Sequence, residues 1–422
     1  MAEMAELAAG KRLITADRVW TAGNGAEVID HGVVLTEGGS ITAVGRQADL
    51  GSAADDAQRV DFPGSTVLPG LINAHVHLVF SASLDPVADL LAEQRSGTAA
   101  LTIRAMTSLQ LSARAGVTTV RDLGGPNEVI FGVRDAVDDG RVAAPRVIAS
   151  GEPITITGGH CHWFSHECDT SDEIRRAVRR QVSDGANLVK IFATGGNMTP
   201  RTNPFAPQYT QEQLQACVEE ATRLGVQVAA HAHAPEGIRR AANVGVSTIE
   251  HCFFETADGV EYNPETGETM ARDKVAFVPT MGANLLRMRE NAALVPDRPV
   301  VKRLLARFEL LQGALRDLHA AGAPLVFGND AGIPQRVHHG FAADVGALTH
   351  PDTLGISPLA ALEAVTSASA AHLGLGDCGV LEVGRRADVL AVDGNPLTDI
   401  ADLERTRFVL AGGRPITAGP ER

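Results

Sequence analysis

The chain changes its hydrophobic rhythm twice. From Lys11 to about Asp61, Val, Ile and Leu alternate with polar residues, punctuated by Asn24-Gly25, Gly38-Gly39 and Gly45. Period-two alternation broken by turn residues predicts short antiparallel strands. After Pro63-Gly64 and Pro69-Gly70 the pattern becomes short apolar runs separated by longer helical stretches, and it holds to about residue 375. Eight runs are predicted as strands, at 72–78, 118–122, 146–150, 188–194, 226–231, 247–252, 276–280 and 324–330. Helices are predicted at 172–183, 211–224, 235–243 and 300–321. In the last of these, Leu304, Leu305, Phe308, Leu311, Leu315 and Leu318 recur at three- and four-residue spacing, a core-facing stripe. Beyond residue 386 the strand rhythm returns in Ala387–Val392 and Arg407–Leu410, followed by Gly412-Gly413. The expected fold is α/β: a (β/α)8 TIM barrel over 69–377, inserted into a small β-sandwich made of 1–68 and 378–422.

The longest irregular stretches, 151–170, 195–209, 256–270 and 331–339, each follow a predicted strand. They therefore belong at the C-terminal mouth of the barrel, where this fold keeps its chemistry. The strands carry it too. His75 and His77 stand at i and i+2 in Leu68-Pro-Gly-Leu-Ile-Asn-Ala-His-Val-His77, so strand alternation puts both rings on one face. Lys190 sits inside Leu188-Val-Lys-Ile-Phe192, one of only four lysines. A buried ammonium is costly unless it is paired or chemically altered. His231 and His251 close apolar strands, and Asp330 lies in Phe327-Gly-Asn-Asp-Ala-Gly332. Taken singly, each reads as a structural histidine, a snorkelling lysine or a helix cap. Five strands ending in metal-competent residues within one barrel call for a common site.

Composition narrows the partners. With a net charge of −14, nucleic acid and anionic lipid are disfavoured. No apolar run approaches the ~20 residues that span a bilayer. The start, Met1-Ala-Glu-Met-Ala-Glu-Leu7, lacks the basic and apolar regions of a leader. The five cysteines are scattered, without a C-x-x-C pair, which points to free thiols and a cytoplasmic setting.

With these motifs in order, the chain resembles the metal-dependent amidohydrolase superfamily along essentially its whole length. The carrying residues are the His75-x-His77 of strand one, Lys190 of strand four, His231 and His251 of strands five and six, and Asp330 of strand eight. The resemblance implies two divalent metal ions, zinc foremost, with cobalt or manganese as alternatives. His75, His77 and Asp330 would hold the more buried ion, His231 and His251 the more exposed one. A carbamate formed from Lys190 and carbon dioxide would bridge both. Two ions ~3.5–4 Å apart would lower the pKa of a bridging water, whose proton Asp330 would pass to the leaving nitrogen. Within the superfamily the chain is most similar to the imidazolonepropionase-like branch that includes Xaa-Pro dipeptidases. That likeness rests on Thr157-Gly-Gly-His160, Ala193-Thr-Gly-Gly196 and Gln208-Tyr209-Thr210. It implies that His160 polarises or positions the scissile carbonyl and that the Tyr209 hydroxyl holds a substrate carboxylate. Trp163 and Phe164, which depart from the branch pattern, are expected to wall the pocket. The neighbouring Cys161, His162, His166 and Cys168 fit no standard zinc spacing.

The function so implied is hydrolysis of an amide-type C–N bond in a dipeptide or N-acyl amino acid. Alternatives are a neutral carbamate, urea or anilide, a mononuclear deaminase or cyclic amidohydrolase, and a catalytically silent scaffold. Such deaminases generally carry a glutamate three residues after the strand-five histidine, where this chain has Ala234, and they lack the bridging lysine. A scaffold should have lost ligands, and none is missing. The resemblance also implies a homo-oligomer.

Overall fold

The computed structural model describes residues 10–23 and 27–417. The Asn24-Gly25 turn and the acidic first residues lie outside that range. Both ends of the chain enter one eight-stranded sheet, built from Arg12–Trp20, Val28–Asp30, Gly32–Glu37, Ser40–Arg46, Gln58–Pro69, Val389–Asp393, Thr406–Ala411 and Arg414–Thr417. Among the described residues its only parallel ladder joins Arg12–Trp20 to Gln58–Pro69, in the middle of the sheet. One edge, Ser40–Arg46, folds over onto the segment that leads into Val389–Asp393: the Ile41 amide donates to the Arg385 carbonyl and the Ala387 amide to the Gly39 carbonyl, each at 2.8 Å. The expected sandwich is thus one continuous sheet bent back on itself. It closes over Ile14, Val34, Ile41, Val67, Val389 and Leu410. Alternation sends Leu68, Leu390 and Val409 to the other face, into the core shared with the barrel.

The chain leaves this sheet at Pro69 and turns at once into the first barrel strand, Leu71–Val76. Six more follow at Val117–Asp122, Arg146–Ala149, Leu188–Phe192, Gln227–Ala232, Thr248–His251 and Ala276–Val278. Every ladder among them is parallel. The eighth stave is irregular. Residues 325–331 pair through single parallel bridges, Phe277 with Leu325 on one side and Val76 with Ala331 on the other. Between staves three and four, the short strand Ile154–Thr155 and the bond from the Asn187 amide to the Ala149 carbonyl make the link.

Two expected elements differ. The stretch 300–321 is two helices, Pro299–Ala306 and Phe308–Ala320. They part at Arg307, whose side chain reaches the Thr256 carbonyl at 2.6 Å and Glu255 Oε1 at 3.1 Å. Tertiary bonds there override an unbroken apolar stripe. Within 256–270, expected to be irregular, Pro264–Asp273 is helical, with Asn263 accepting from the Thr266 amide at 3.1 Å. That is an N-cap followed by proline at the first helical position.

Candidate metal centre and its pocket

The barrel mouth gathers the strand-end residues into one cavity, lined by His75, His77, His160, Lys190, His231, His251 and Asp330 together. All are buried. His251 (φ 70°) and Asp330 (φ 57°) take left-handed backbone as they leave their strands. That conformation is uncommon for residues other than glycine and clusters at functional sites. Two close approaches explain local glycines. A Cβ on Gly328 would collide with the His75 amide, and one on Gly196 with the His160 ring.

Hydrogen bonds set which nitrogen of each ring is free. His75 Nδ1 donates to Glu250 Oε2 at 2.8 Å, and His77 Nδ1 to the Gly124 carbonyl at 3.2 Å. Their Nε2 atoms are left to face inward, and both lie 3.3 Å from Asp330 Oδ1. His231 Nε2 donates to the Gly195 carbonyl at 3.2 Å, and His251 Nδ1 bonds the Thr280 hydroxyl at 2.8 Å. Their remaining nitrogens face each other at 2.9 Å. Two inward-facing ligand sets result, His75/His77/Asp330 and His231/His233/His251, with ligand atoms within 4.8 Å in each. These are the only such groups among the described residues. The loop carrying Cys161, His162, His166 and Cys168 contributes to neither.

Lys190 Nζ has no hydrogen-bond partner among the described residues. Burial pulls its pKa down to about 8. Beneath it lies an ion pair that the sequence reading missed: Arg121 Nη2 donates to Glu250 Oε1 at 2.9 Å. Although burial pushes the Glu250 carboxyl up, Arg121 and His75 hold it at about 2. Arg121, Lys190 and Glu250 come from strands two, four and six, as the alternate-strand layers of such barrels do. Glu250 is the residue before His251 in Thr248-Ile-Glu-His; an acid inside an apolar strand was the available signal. His233 was missed as well, though His231-Ala-His233 repeats the spacing of His75-Val-His77. A third omission is a polar chain behind Asp330. Asn73 Nδ2 donates to Asn329 Oδ1 at 2.8 Å, and Asn329 Nδ2 to Asp344 Oδ2 at 2.7 Å.

Burial pushes the His160 and His233 imidazoles down to about 3, so both are neutral near pH 7. His160 lines the cavity, its ring centroid 4.9 Å from that of His231, and its Nδ1 is unpartnered.

Three expected pocket residues lie elsewhere. Tyr209 is buried outside the cavity lining, and its hydroxyl donates to the Cys168 carbonyl at 2.9 Å. Donating that proton to a substrate carboxylate would sacrifice a buried backbone bond. The whole Gln208-Tyr209-Thr210 motif is a brace. Gln208 Oε1 accepts from the His160 amide at 2.9 Å, and Thr210 caps the helix Gln211–Arg223. Trp163 and Phe164 are likewise absent from the lining. A short 3-10 turn, His162–Phe164, folds Phe164 against Phe80, with centroids 5.8 Å apart. Phe80, along with Phe192 and Phe253, provides the aromatic wall.

Known proteins share this arrangement at the level of sequence and fold. The chain is 28% identical over 403 residues to an ochratoxinase of Aspergillus niger, covering 87% of this chain and 78% of that one. It is 25% identical over 399 residues to an imidazolonepropionase of Paracoccus denitrificans, covering 87% and 89%. A solved Xaa-Pro dipeptidase with methionine bound in its active site superposes with a TM-score of 0.80 at 27% identity, over 96% of this chain and 99% of that one. The model of the amidohydrolase family matches residues 66–415, from the last strand before the barrel to the strand edge that closes the sheet. The chain therefore belongs to the amidohydrolase family and is a hydrolytic enzyme acting on C–N bonds.

Proposed function

We propose that the enzyme cleaves the amide of a dipeptide or N-acyl amino acid at a centre of two divalent ions. The observation that carries this is the pair of inward-facing ligand sets, with the unpartnered Lys190 amine in the same cavity. The donor set fits such ions. Imidazole nitrogens and a carboxylate oxygen converge at distances that a cation would relieve, and nitrogen-rich ligands favour zinc over magnesium or calcium. His75, His77 and Asp330 would hold one ion, and His231 and His251 would hold the other, with His233 beside them. When bound, the ions supply Lewis acidity toward a water and the scissile carbonyl. Lys190, as its carbamate, would exchange a buried amine without a hydrogen-bond partner for an anion that could serve as a ligand.

Asp330 takes the proton of the attacking water and returns it to the leaving nitrogen. His160 holds the carbonyl oxygen beside the second ligand set. The cavity-lining arginines Arg298 and Arg336 are the cations left to meet a substrate carboxylate once Tyr209 is set aside. The dipeptidase relative supports a peptide-type amide. The second reading, a neutral carbamate, urea or anilide, is favoured by the commitment of the Tyr209 hydroxyl to Cys168.

Metal analysis and a matched pair of substrates test this. Two ions per chain, a carboxylated Lys190 in electron density and preference for an N-acyl amino acid over its C-terminal amide are expected. One ion per chain points to the deaminase class and none to a scaffold. Equal efficiency on acid and amide moves the substrate to the neutral class. We further expect a homo-oligomer by light scattering and, from five buried free thiols, a cytoplasmic location by fractionation. No described helix is long and apolar enough to cross a membrane.

A further inference from the structure

One side of the cavity is walled by a single excursion of the chain. Between barrel strand seven and the helix Phe308–Ala320 run two short helices, Ala283–Glu290 and Pro299–Ala306. The second fully buries none of its residues. Even so, Val300, Val301 and Leu304 share one of its faces and line the cavity, as do Leu285 and Met288 of the first. An apolar helix face normally packs against a core. This one faces the space above His75, Asp330 and Lys190. The cavity comes to about 160 Å³, room for roughly one aromatic ring.

The excursion is tied down by a group that the metal centre does not use. Glu255 follows strand six and is fully buried. It accepts from Arg303 Nε at 2.8 Å and from Arg307 Nη1 at 3.1 Å. Arg303 Nη2 also reaches Asn197 Oδ1 at 2.7 Å, and Arg298 donates to the Leu84 carbonyl. Charge-assisted bonds from one buried carboxylate to two guanidinium groups fix the second helix and its continuation against the mouth.

We infer that residues 283–306 form the subsite for a large apolar group of the substrate, aromatic or long aliphatic. Leu285, Met288, Val300, Val301 and Leu304 set specificity there, and Glu255 is a positioning residue that holds them over the metal centre. The inference deepens the proposed amide hydrolysis and rests on it for where the reacting carbonyl lies. Small polar amides leave this face wet, whereas a phenyl or alkyl group displaces that water and gains the hydrophobic contribution of its own area.

The test compares 4-phenylbutanamide with propanamide on the full-length enzyme with its metals, by calorimetry and by hydrolysis. The phenyl amide should bind at least about ten-fold more tightly, and the advantage should shrink to about three-fold or less in Val301→Asn/Leu304→Asn and in Met288→Gln, the range that a few apolar groups command in a pocket. Glu255→Gln should speed tryptic cleavage between Arg287 and Arg307, and 4-phenylbutanamide should slow it in the wild type. Equal binding of the two amides overturns the inference, as does a preference that survives both sets of substitutions. Should neither these amides nor an N-acyl amino acid be hydrolysed while the binding preference appears and is lost as stated, the subsite stands and the amide-hydrolysis reading falls.

Discussion

At the ends of strands one and eight, two imidazoles meet a carboxylate; at the ends of strands five and six, three imidazoles meet one another. The first set is backed by charge. Glu250 orients His75 and is itself held by Arg121, while the Asn73–Asn329–Asp344 chain fixes the segment that carries Asp330. The second set is backed by neutral partners, the Gly195 carbonyl and the Thr280 hydroxyl. Its histidines titrate far below neutrality, through burial first and then one another. One half of the centre is therefore preorganised for a cation before any arrives. The other offers neutral nitrogens and would yield an ion more readily, which would suit a position that also admits substrate. The carboxylate of Asp330, held well below its usual range by His75 and His77 despite burial, belongs to the tight half and still lines the cavity.

The largest effect should come from abolishing the contrast. Asp330→Asn leaves both halves without a carboxylate from Asp330 and removes the proposed proton carrier, so kcat should fall about 10²–10⁴-fold; steady-state kinetics on metal-loaded protein measure it. A retained kcat would assign proton transfer elsewhere. Next is Glu250→Gln, which unbacks only the strand-one half. It leaves Arg121 as a buried cation without its partner, so stability should drop by on the order of 3–5 kcal/mol, read by denaturant unfolding. Affinity for the ion of that half should weaken about 10–100-fold, as for other outer partners of ligating histidines. Competition with a chelator measures this, and loss confined to the other ion would invert the comparison. The smallest effect should be that of Thr280→Val, which deletes the neutral partner of His251. One hydrogen bond contributes about 1 kcal/mol, so the strand-six ion should loosen only several-fold, with the strand-one ion unchanged in the same competition.

Periodicity was enough to place seven of the eight staves, because each strand's apolar run is long enough to show itself. The eighth, an irregular stave, was legible through Asp330 and its glycines rather than through pairing. The cavity residues His75, His77, Lys190, His231, His251 and Asp330 were legible for a related reason. A strand that must be apolar on both faces has no ordinary use for an imidazole or an ammonium, so a polar residue inside one stands out against its neighbours. Glu250 obeys the same rule and was overlooked beside its more conspicuous neighbour, His251.

Loop residues carry no such contrast. Tyr209, Trp163 and Phe164 were assigned to the pocket from resemblance and bulk, and the fold turned each of them into packing around the strand-three loop. The direction of a loop side chain is settled by which backbone carbonyl or ring lies within reach, here Cys168 and Phe80. Those neighbours are set by pairing across dozens of residues. In the same way Leu304 read as part of one long core-facing helix; the helix parts at Arg307, and Leu304, packed against the core, also lines the cavity. Local sequence determined the barrel, the ligand types and their order along the chain, since period and polarity act over a few residues. Only the tertiary structure decided which nitrogen of each ring is free, which carboxylate supports which histidine and which apolar face lines the pocket, because each depends on a partner distant in sequence.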